Sequence, residues 1–315
     1  MNDKLAIATY GLTKRFEGYI AVNEIDLQVR TGEVYGLIGP NGAGKTTLIR
    51  MLATAEEPTK GEIYLHGDRL LRDDSNSVLK QRIGYLPDDF PLYDDLTVWD
   101  YLDYFARLYL LKQPKRDRRI YEVLELVQLG NKSKSIISTL SRGMKQRLSL
   151  ARTIIHEPIL LLLDEPVSGL DPIARQQFRQ IIQVLQEAGM TILISSHVLS
   201  DLAELCTSIG IMELGFLVES ATLNELYQRL SRQQITLSTL GKMELLQRKL
   251  RQNSLVDTWE TIDRHCLKVN FTGGESDCAE LLRSLILADI PLTEFHCSNE
   301  DLESIFLKLG HQQSA

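Results

Sequence analysis

Gly39-Pro40-Asn41-Gly42-Ala43-Gly44-Lys45-Thr46-Thr47 is the stretch that decides how this chain folds. It fits G-x-x-x-x-G-K-[ST]. It follows the apolar run Val34-Tyr35-Gly36-Leu37-Ile38 and precedes the helix-like Leu48-Ile49-Arg50-Met51-Leu52, which is the strand, loop and helix order a phosphate loop requires. Glycines let the backbone wrap closely around an anion, so that several N–H groups and the positive end of the next helix dipole point at phosphate oxygens. Lys45 then offers a cation to the outer phosphates and Thr46 a hydroxyl to Mg²⁺. Average residue usage puts a chance match in a chain of this length at odds on the order of one in a hundred, before the flanking strand and helix are required. A plain glycine-rich turn is the weaker reading. The motif specifies nucleotide phosphates and Mg²⁺ without saying which reaction follows.

Working outward, Ile159-Leu160-Leu161-Leu162-Leu163 is a continuous apolar run of strand length, as in a strand buried on both faces of a parallel sheet, and it ends in Asp164-Glu165. Asp171-Pro172 opens an amphipathic helix that stops at Gly189. A second buried run, Thr191-Ile192-Leu193-Ile194-Ser195, leads through Ser196 to His197. This β, α, β, α order predicts a parallel sheet with helices on its faces and ligands at the carboxyl ends of its strands. Gly39, Asp164 and His197 all lie at such ends and are expected to converge.

Before the loop, residues 5–29 hold two strand candidates, and Ile25, Leu27 and Val29 alternate with Asp26 and Gln28 as in a half-buried antiparallel strand. Residues 61–67 read as a short strand closed by glycine, and Ile83-Gly84-Tyr85-Leu86 as one running into an acidic loop at 87–95. Thr97, with Asp100 three residues on, starts a helix whose Val98, Tyr101, Leu102, Phe105, Leu108 and Tyr109 share a face. Helical patterns continue to about 150, and the basic run at 115–119 reads as a solvated helix face. Residues 208–220 form a hairpin turning at Gly215. Residues 226–315 change character to strand, helix, strand, strand, helix, strand and a last helix at 302–309; this βαββαβ order predicts a small ferredoxin-like α+β domain behind a first domain of residues 1–225.

The 315 residues, 43% of them hydrophobic, suffice for one large and one smaller core. A net charge of -7 argues against a nucleic-acid backbone as partner. Without a signal-like N-terminus, or an apolar run near the roughly 20 residues of a membrane helix, the chain is expected to be soluble. Cys206, Cys266, Cys278 and Cys297 form no C-x-x-C pair, so free thiols in a reducing cytoplasm are expected. His265-Cys266 and His296-Cys297 are poor zinc ligands, because neighbours on a strand point to opposite faces.

Asp164 is the expected Mg²⁺ carboxylate, and Glu165 the acceptor for the proton of an attacking water. His197 is a candidate donor to the γ-phosphate. With these residues in place the chain resembles the nucleotide-binding subunits of ABC transporters across residues 5–220. Leu140-Ser141-Arg142-Gly143-Met144-Lys145-Gln146-Arg147 is similar to that family's signature, L-S-G-G-Q followed by Q-R, and residues 160–165 to its Walker B strand with a catalytic glutamate. Ser168-Gly169-Leu170-Asp171 resembles the D-loop, His197 the switch histidine, and Phe16 the aromatic that stacks on adenine, with Tyr19 as rival. The resemblance implies a P-loop α/β fold in which a RecA-like parallel sheet carries an antiparallel β subdomain and a helical subdomain near 95–150. It also implies Mg²⁺-dependent ATP hydrolysis, and a head-to-tail dimer, with a second copy or a paralogous subunit, in which one copy's Ser141, Arg142, Gly143 and Met144 face the other copy's ATP.

Two departures stand out. Asp88 aligns with a glutamine that senses Mg²⁺ in the family, and could bind the ion through water. Arg142 replaces the first signature glycine and Met144 the glutamine, while Ser141 and Gly143 remain; Arg142 reads as a solvent-facing side chain, with a cation near the phosphates as the alternative. With no membrane segment in the sequence, transport would need a separately encoded multi-spanning permease docked near residues 87–95, which would place the subunit on the cytoplasmic face of the membrane. The region from Ile83 to Tyr93, the form of the signature and the tail at 302–309 resemble the ATPases of bacterial ABC-2-type exporters, and the tail domain reads as regulatory or dimer-supporting. Rival functions are a soluble ABC-type clamp and an ATP-gated regulatory partner without transport.

Overall fold

In the computed structural model, residues 5–70, 77–89, 91–198, 202, 204–230 and 233–299 are described. β1 (Leu5–Phe16) turns into β2 (Tyr19–Ile25) and pairs further along with β3 (Gln28–Arg30), both antiparallel. Alternation of Ile25, Leu27 and Val29 predicts one strand here, and the structure breaks it in two. The three side chains are buried as the alternation requires. The Thr9 hydroxyl, however, donates to Ile25 O (2.9 Å) and accepts from Leu27 N (2.8 Å), while Asp26 Oδ1 accepts from Gly11 N (2.6 Å). Side chains therefore satisfy the backbone groups that the interrupted ladder leaves over. Period-2 hydrophobicity reports the buried face and is blind to this exchange of partners.

β4 (Val34–Ile38), buried at all five positions, runs through residues 39–44 into α1 (Lys45–Leu52). β5 (Lys60–Leu65) returns antiparallel to β1 and hairpins into β6 (Asp68–Arg69), which completes an antiparallel sheet of order β2-β1-β5-β6 with β3 also on β1. Next come the short α2 (Ser77–Lys80), β7 (Ile83–Leu86), the helices α3 (Val98–Leu108), α4 (Lys115–Leu126) and α5 (Arg142–Ile154), β8 (Leu160–Leu163), α6 (Pro172–Glu187), β9 (Thr191–Ser196) and the hairpin β10 (Ser208–Glu213) with β11 (Phe216–Thr222). The second sheet has the order β11-β10-β4-β9-β8-β7 and is parallel except for β11. Every residue of β8 is at most 1% exposed, as its unbroken leucine run predicts. The carboxyl ends of β4, β7, β8 and β9 share one edge of this sheet.

Thr97 caps α3 by accepting from Asp100 N (3.1 Å), and Val98, Tyr101 and Leu102 are fully buried. The predicted face ends early: Leu108 is 59% and Tyr109 41% exposed, because the helix stops at Leu108 and the Tyr109 ring turns to stack on His156 at 4.0 Å between centroids. The basic run is also only half solvated. Lys115 and Arg118 face water, but Arg116 pairs with Asp103 Oδ1 (2.7 Å) and Arg119 donates to Ile154 O (2.7 Å) and Ile155 O (3.2 Å). Arg119 thus satisfies carbonyls at the negative end of α5.

The chain divides into residues 1–223 and 224–315. After α7 (Leu223–Leu230), the second unit runs β12 (Gln233–Thr239), α8 (Met243–Gln252), β13 (Val256–Thr261), β14 (Cys266–Phe271), α9 (Glu275–Leu287) and β15 (Leu292–Asn299). Its strands lie in the order β13-β14-β12-β15 with antiparallel neighbours, the topology of a ferredoxin-like βαββαβ fold. Ile235, Leu237, Leu267, Val269 and Phe271 form one apolar face, packed with Leu246, Leu250, Leu281 and Leu285 of α8 and α9. The helix expected at 302–309 lies outside the described residues.

Candidate active site

The phosphate loop is braced by two other elements. Gly44, at φ +102, precedes α1, and a Cβ on it would come 2.2 Å from Ala21 O of β2. Gly215 N, in the β10–β11 turn, donates to Ala43 O (3.1 Å), while Gly215 O accepts from Asn23 N (2.8 Å). No side chain among the described residues caps α1, so the N–H groups of its first turn remain available to an anion. Lys45 is 5% exposed, and its ammonium donates to Gly39 O (2.7 Å) and Pro40 O (3.2 Å). Asn41, Gly42 and Thr46 are exposed along the open side of the loop, with Thr47 half-buried.

Three acids gather at the neighbouring strand ends. Asp164 is buried at the end of β8, and burial raises its carboxyl above the ordinary range against the opposing hydroxyls of Ser195 and Thr46. Asp164 Oδ1 accepts from the Ser195 hydroxyl (2.7 Å), whereas Oδ2 is buried without a hydrogen-bond partner among the described residues. Glu165 Oε1 lies 3.4 Å from Lys45 Nζ, and Oε2 lies 2.7 Å from His197 Nδ1. Asp88 is exposed, and its carboxyl is raised by partial burial and then by Asp164 and Glu165, with Arg142 opposing. Gly39, Asp164 and His197, remote in sequence, are thereby joined through Lys45 and Glu165.

Ser195 is the residue that sequence reasoning missed. Its hydroxyl holds Asp164 and also accepts from Glu165 N (3.0 Å), which fixes both acids from one point. The signal was available: a polar side chain ending an otherwise apolar strand, where burial demands a partner.

The site fits a divalent cation. An orphaned buried carboxylate oxygen, the Thr46 hydroxyl and mutual repulsion among acids are relieved together by one positive ion. Among the described residues no cluster of three or more His, Cys, Asp or Glu side chains could hold a metal unaided. Mg²⁺ is usually bound through one or two carboxylates plus the phosphates of its nucleotide, and Asp164 with Thr46 would be the protein's share of such a site.

The signature forms the first turn of α5. Ser141 caps it, accepting from Met144 N (3.3 Å), and Gly143 is buried so tightly that a Cβ would lie 2.6 Å from that of Ala174 in α6. Arg142 is exposed, as its solvent-facing reading expects, and in addition Nη2 donates to Ser168 O (3.1 Å) in the same chain. Asp171 caps α6 by accepting from Ala174 N (3.0 Å). Among the described residues no hydrogen bond or ion pair joins residues 141–144 to residues 39–47. Phe16 and its rival Tyr19 prove to be one unit, stacked at 5.4 Å at the tip of the β1–β2 hairpin, two residues before the Ala21 carbonyl that abuts the loop.

A parallel α/β sheet with a braced phosphate loop and buried acids at the adjacent strand ends defines a P-loop nucleotide hydrolase. The model of the ABC transporter family matches residues 22–168. The ABC transporter ATP-binding protein YcbN of Bacillus subtilis is 34% identical over 307 residues, covering 96% of each chain. The bacitracin transport ATP-binding protein BcrA of Enterococcus faecalis is 34% identical over 305 residues, again covering 96% of each. A solved structure of an ATP-binding subunit of an ABC transporter superimposes with TM-score 0.63 at 29% identity, covering 71% of this chain and 92% of that one. The chain belongs to the ABC transporter ATP-binding proteins, the ATPase subunits of these transporters.

Proposed function

We propose that this chain hydrolyses Mg²⁺-ATP as one half of a head-to-tail dimer and drives a separately encoded permease from the cytoplasmic face of the membrane. The observation that carries the reading is the Glu165 carboxylate, held between Lys45 and His197 beside the unpartnered Asp164 oxygen. Residues 39–47 cradle the phosphates, with Lys45 released from the Gly39 and Pro40 carbonyls to the outer ones. Phe16 and Tyr19 offer the base a stacking surface. Thr46 and Asp164 would hold Mg²⁺, with Asp88 reaching it through water, and the ion supplies charge neutralisation between the outer phosphates. Glu165 takes the proton of the attacking water, and His197 orients that carboxylate and donates to the γ-phosphate.

Among the described residues, Ser141, Arg142, Gly143 and Met144 make no bond to their own phosphate loop. In the proposed dimer a second copy, or a paralogue, supplies the signature that closes each ATP site. No helix among the described residues is long and apolar enough to cross a membrane. The permease is proposed from membership of the ABC transporter ATP-binding proteins. The likeness to a bacitracin transport ATP-binding protein over 96% of this chain, the C-terminal unit included, supports the exporter reading.

Sedimentation of Glu165→Gln with and without Mg²⁺-ATP tests the dimer. A doubling of mass with nucleotide is expected, and a monomer at saturating ATP refutes it. Pull-down of the same variant from detergent-solubilised membranes tests transport. A multi-spanning protein without a phosphate loop is expected; recovery with ribosomes or chromatin instead gives the clamp alternative.

A further inference from the structure

Arg142 sits where a cation is least welcome, at the first residue of α5, against the positive end of the helix dipole. Its side chain is exposed, yet its tip is anchored on its own chain. Nη2 donates to Ser168 O at 3.1 Å, and a Cβ built on Gly169 would lie 2.5, 2.7 and 2.7 Å from Nη2, Cζ and Nη1. Three near-equal distances mean that the guanidinium plane lies flat over the Gly169 backbone, in the space where every other residue carries a Cβ. Gly169 itself is in the left-handed region at φ +65. One residue further along α5, Gly143 is pressed against Ala174 of α6.

The two contacts make the signature turn and residues 168–174 one packed body. That body is only three residues from Glu165, and Ser168 N donates to Glu165 O (3.1 Å), closing the turn between them. A continuous path therefore runs from the signature turn through the Arg142 guanidinium and the Ser168 backbone to the carboxylate that faces Lys45.

We infer that Arg142 is a positioning residue that links the two ATP sites of the dimer, by transmitting engagement of its own signature turn on the partner's ATP to Glu165 at its own ATP. This rests on the head-to-tail dimer proposed above. A planar fork that both donates to a carbonyl and packs flat on a glycine suits the task, and an ammonium point charge does not. The consequence is cooperative hydrolysis, in which filling one site sets the base of the other.

The test is ATP turnover by the full-length protein as a function of ATP concentration, for wild type, Arg142→Ala, Arg142→Lys, Gly169→Ala and the Arg142→Ala/Gly169→Ala double variant. Nucleotide affinity is measured in parallel on dilute protein with a fluorescent ATP analogue. Arg142→Ala is expected to lower saturating turnover about tenfold and bring the Hill coefficient from near two to near one, with affinity within about twofold of wild type. Arg142→Lys should behave like the alanine variant in its Hill coefficient. Gly169→Ala evicts the flexible guanidinium and should reproduce the phenotype, and the double variant should be no worse than either single one.

Effects that add, a cooperative Arg142→Ala, or a wild type with a Hill coefficient of one would each overturn the inference. Thermal melts separate these results from misfolding, and Arg142→Gln, which keeps a donor without the charge, replaces any variant that fails to fold. The dimer reading fails separately, through a Glu165→Gln protein that stays monomeric with ATP.

Discussion

Replacing Glu165 by glutamine keeps the side chain's size and removes one charge that faces both Lys45 and His197. Glu165 Oε1 is 3.4 Å from Lys45 Nζ, with the two side chains 12% and 5% exposed. Two unit charges at that separation attract by about 5 kcal/mol at an effective dielectric of ~20, before solvent screening reduces the figure. Incoming phosphates must compete for the same ammonium. Glutamine weakens the competitor, so ATP affinity should hold or improve by up to about tenfold, ~1.4 kcal/mol. Turnover should move the other way, because a positioned general base contributes about 10²–10⁴ in rate. That loss raises the barrier by about 3–5 kcal/mol. Phosphate release at saturating Mg²⁺-ATP gives the rate, and titration of a fluorescent nucleotide gives the affinity. Turnover within about threefold of wild type, with binding intact, would remove Glu165 from the chemistry and overturn its assigned role. Weaker ATP binding would show instead that the Lys45 contact organises the loop rather than competing for it.

Ser195→Ala should cost about 1–3 kcal/mol in urea unfolding, because Asp164 Oδ1 and Glu165 N lose their shared partner, and it should raise the Mg²⁺ concentration needed for half-maximal turnover. Gly44→Ala forces a Cβ onto the Ala21 carbonyl at a left-handed φ, so nucleotide binding measured by calorimetry should be abolished, with about 1–3 kcal/mol of stability lost. Thr97→Ala removes the cap of α3 and should lower stability by about 1 kcal/mol, a Tm shift of about 2–4 °C, with ATP affinity unchanged. Burial holds His156 below its ordinary value of 6.5, so the folded state favours the neutral ring, and stability falls as pH drops from 6.5 towards the depressed value. His156→Phe keeps a ring on Tyr109 and should flatten that slope in urea titrations. His66, depressed in the same sense by burial, leaves part of it.

The phosphate loop, the all-leucine β8, the caps Thr97 and Asp171 and the βαββαβ tail could be read from residues a few positions apart. Each is a local regularity: a strand buried on both faces must be apolar throughout, and a cap must stand next to the turn it closes. The convergence of Gly39, Asp164 and His197 also followed, because parallel strands place their carboxyl ends on one edge. What failed to show were the exchanges of partner within those elements. Ile25 to Val29 alternate faultlessly and still form two strands, since the Thr9 hydroxyl that takes over their hydrogen bonds lies in another strand.

The sequence by itself determined that the chain binds nucleotide phosphates on a parallel sheet, and which strand ends carry the acids. Only the tertiary structure decided what holds those acids and loops in place. Ser195 grips Asp164 across 31 positions, Arg119 caps α5 across 35, and Arg142 lies on Ser168 across 26. Periodicity and capping are properties of neighbouring residues and leave a mark in the order of the letters. A side chain that satisfies a carbonyl or carboxylate in a distant element leaves at most a polar letter in an apolar run, as at Ser195, because which partner it meets is set by how whole elements pack.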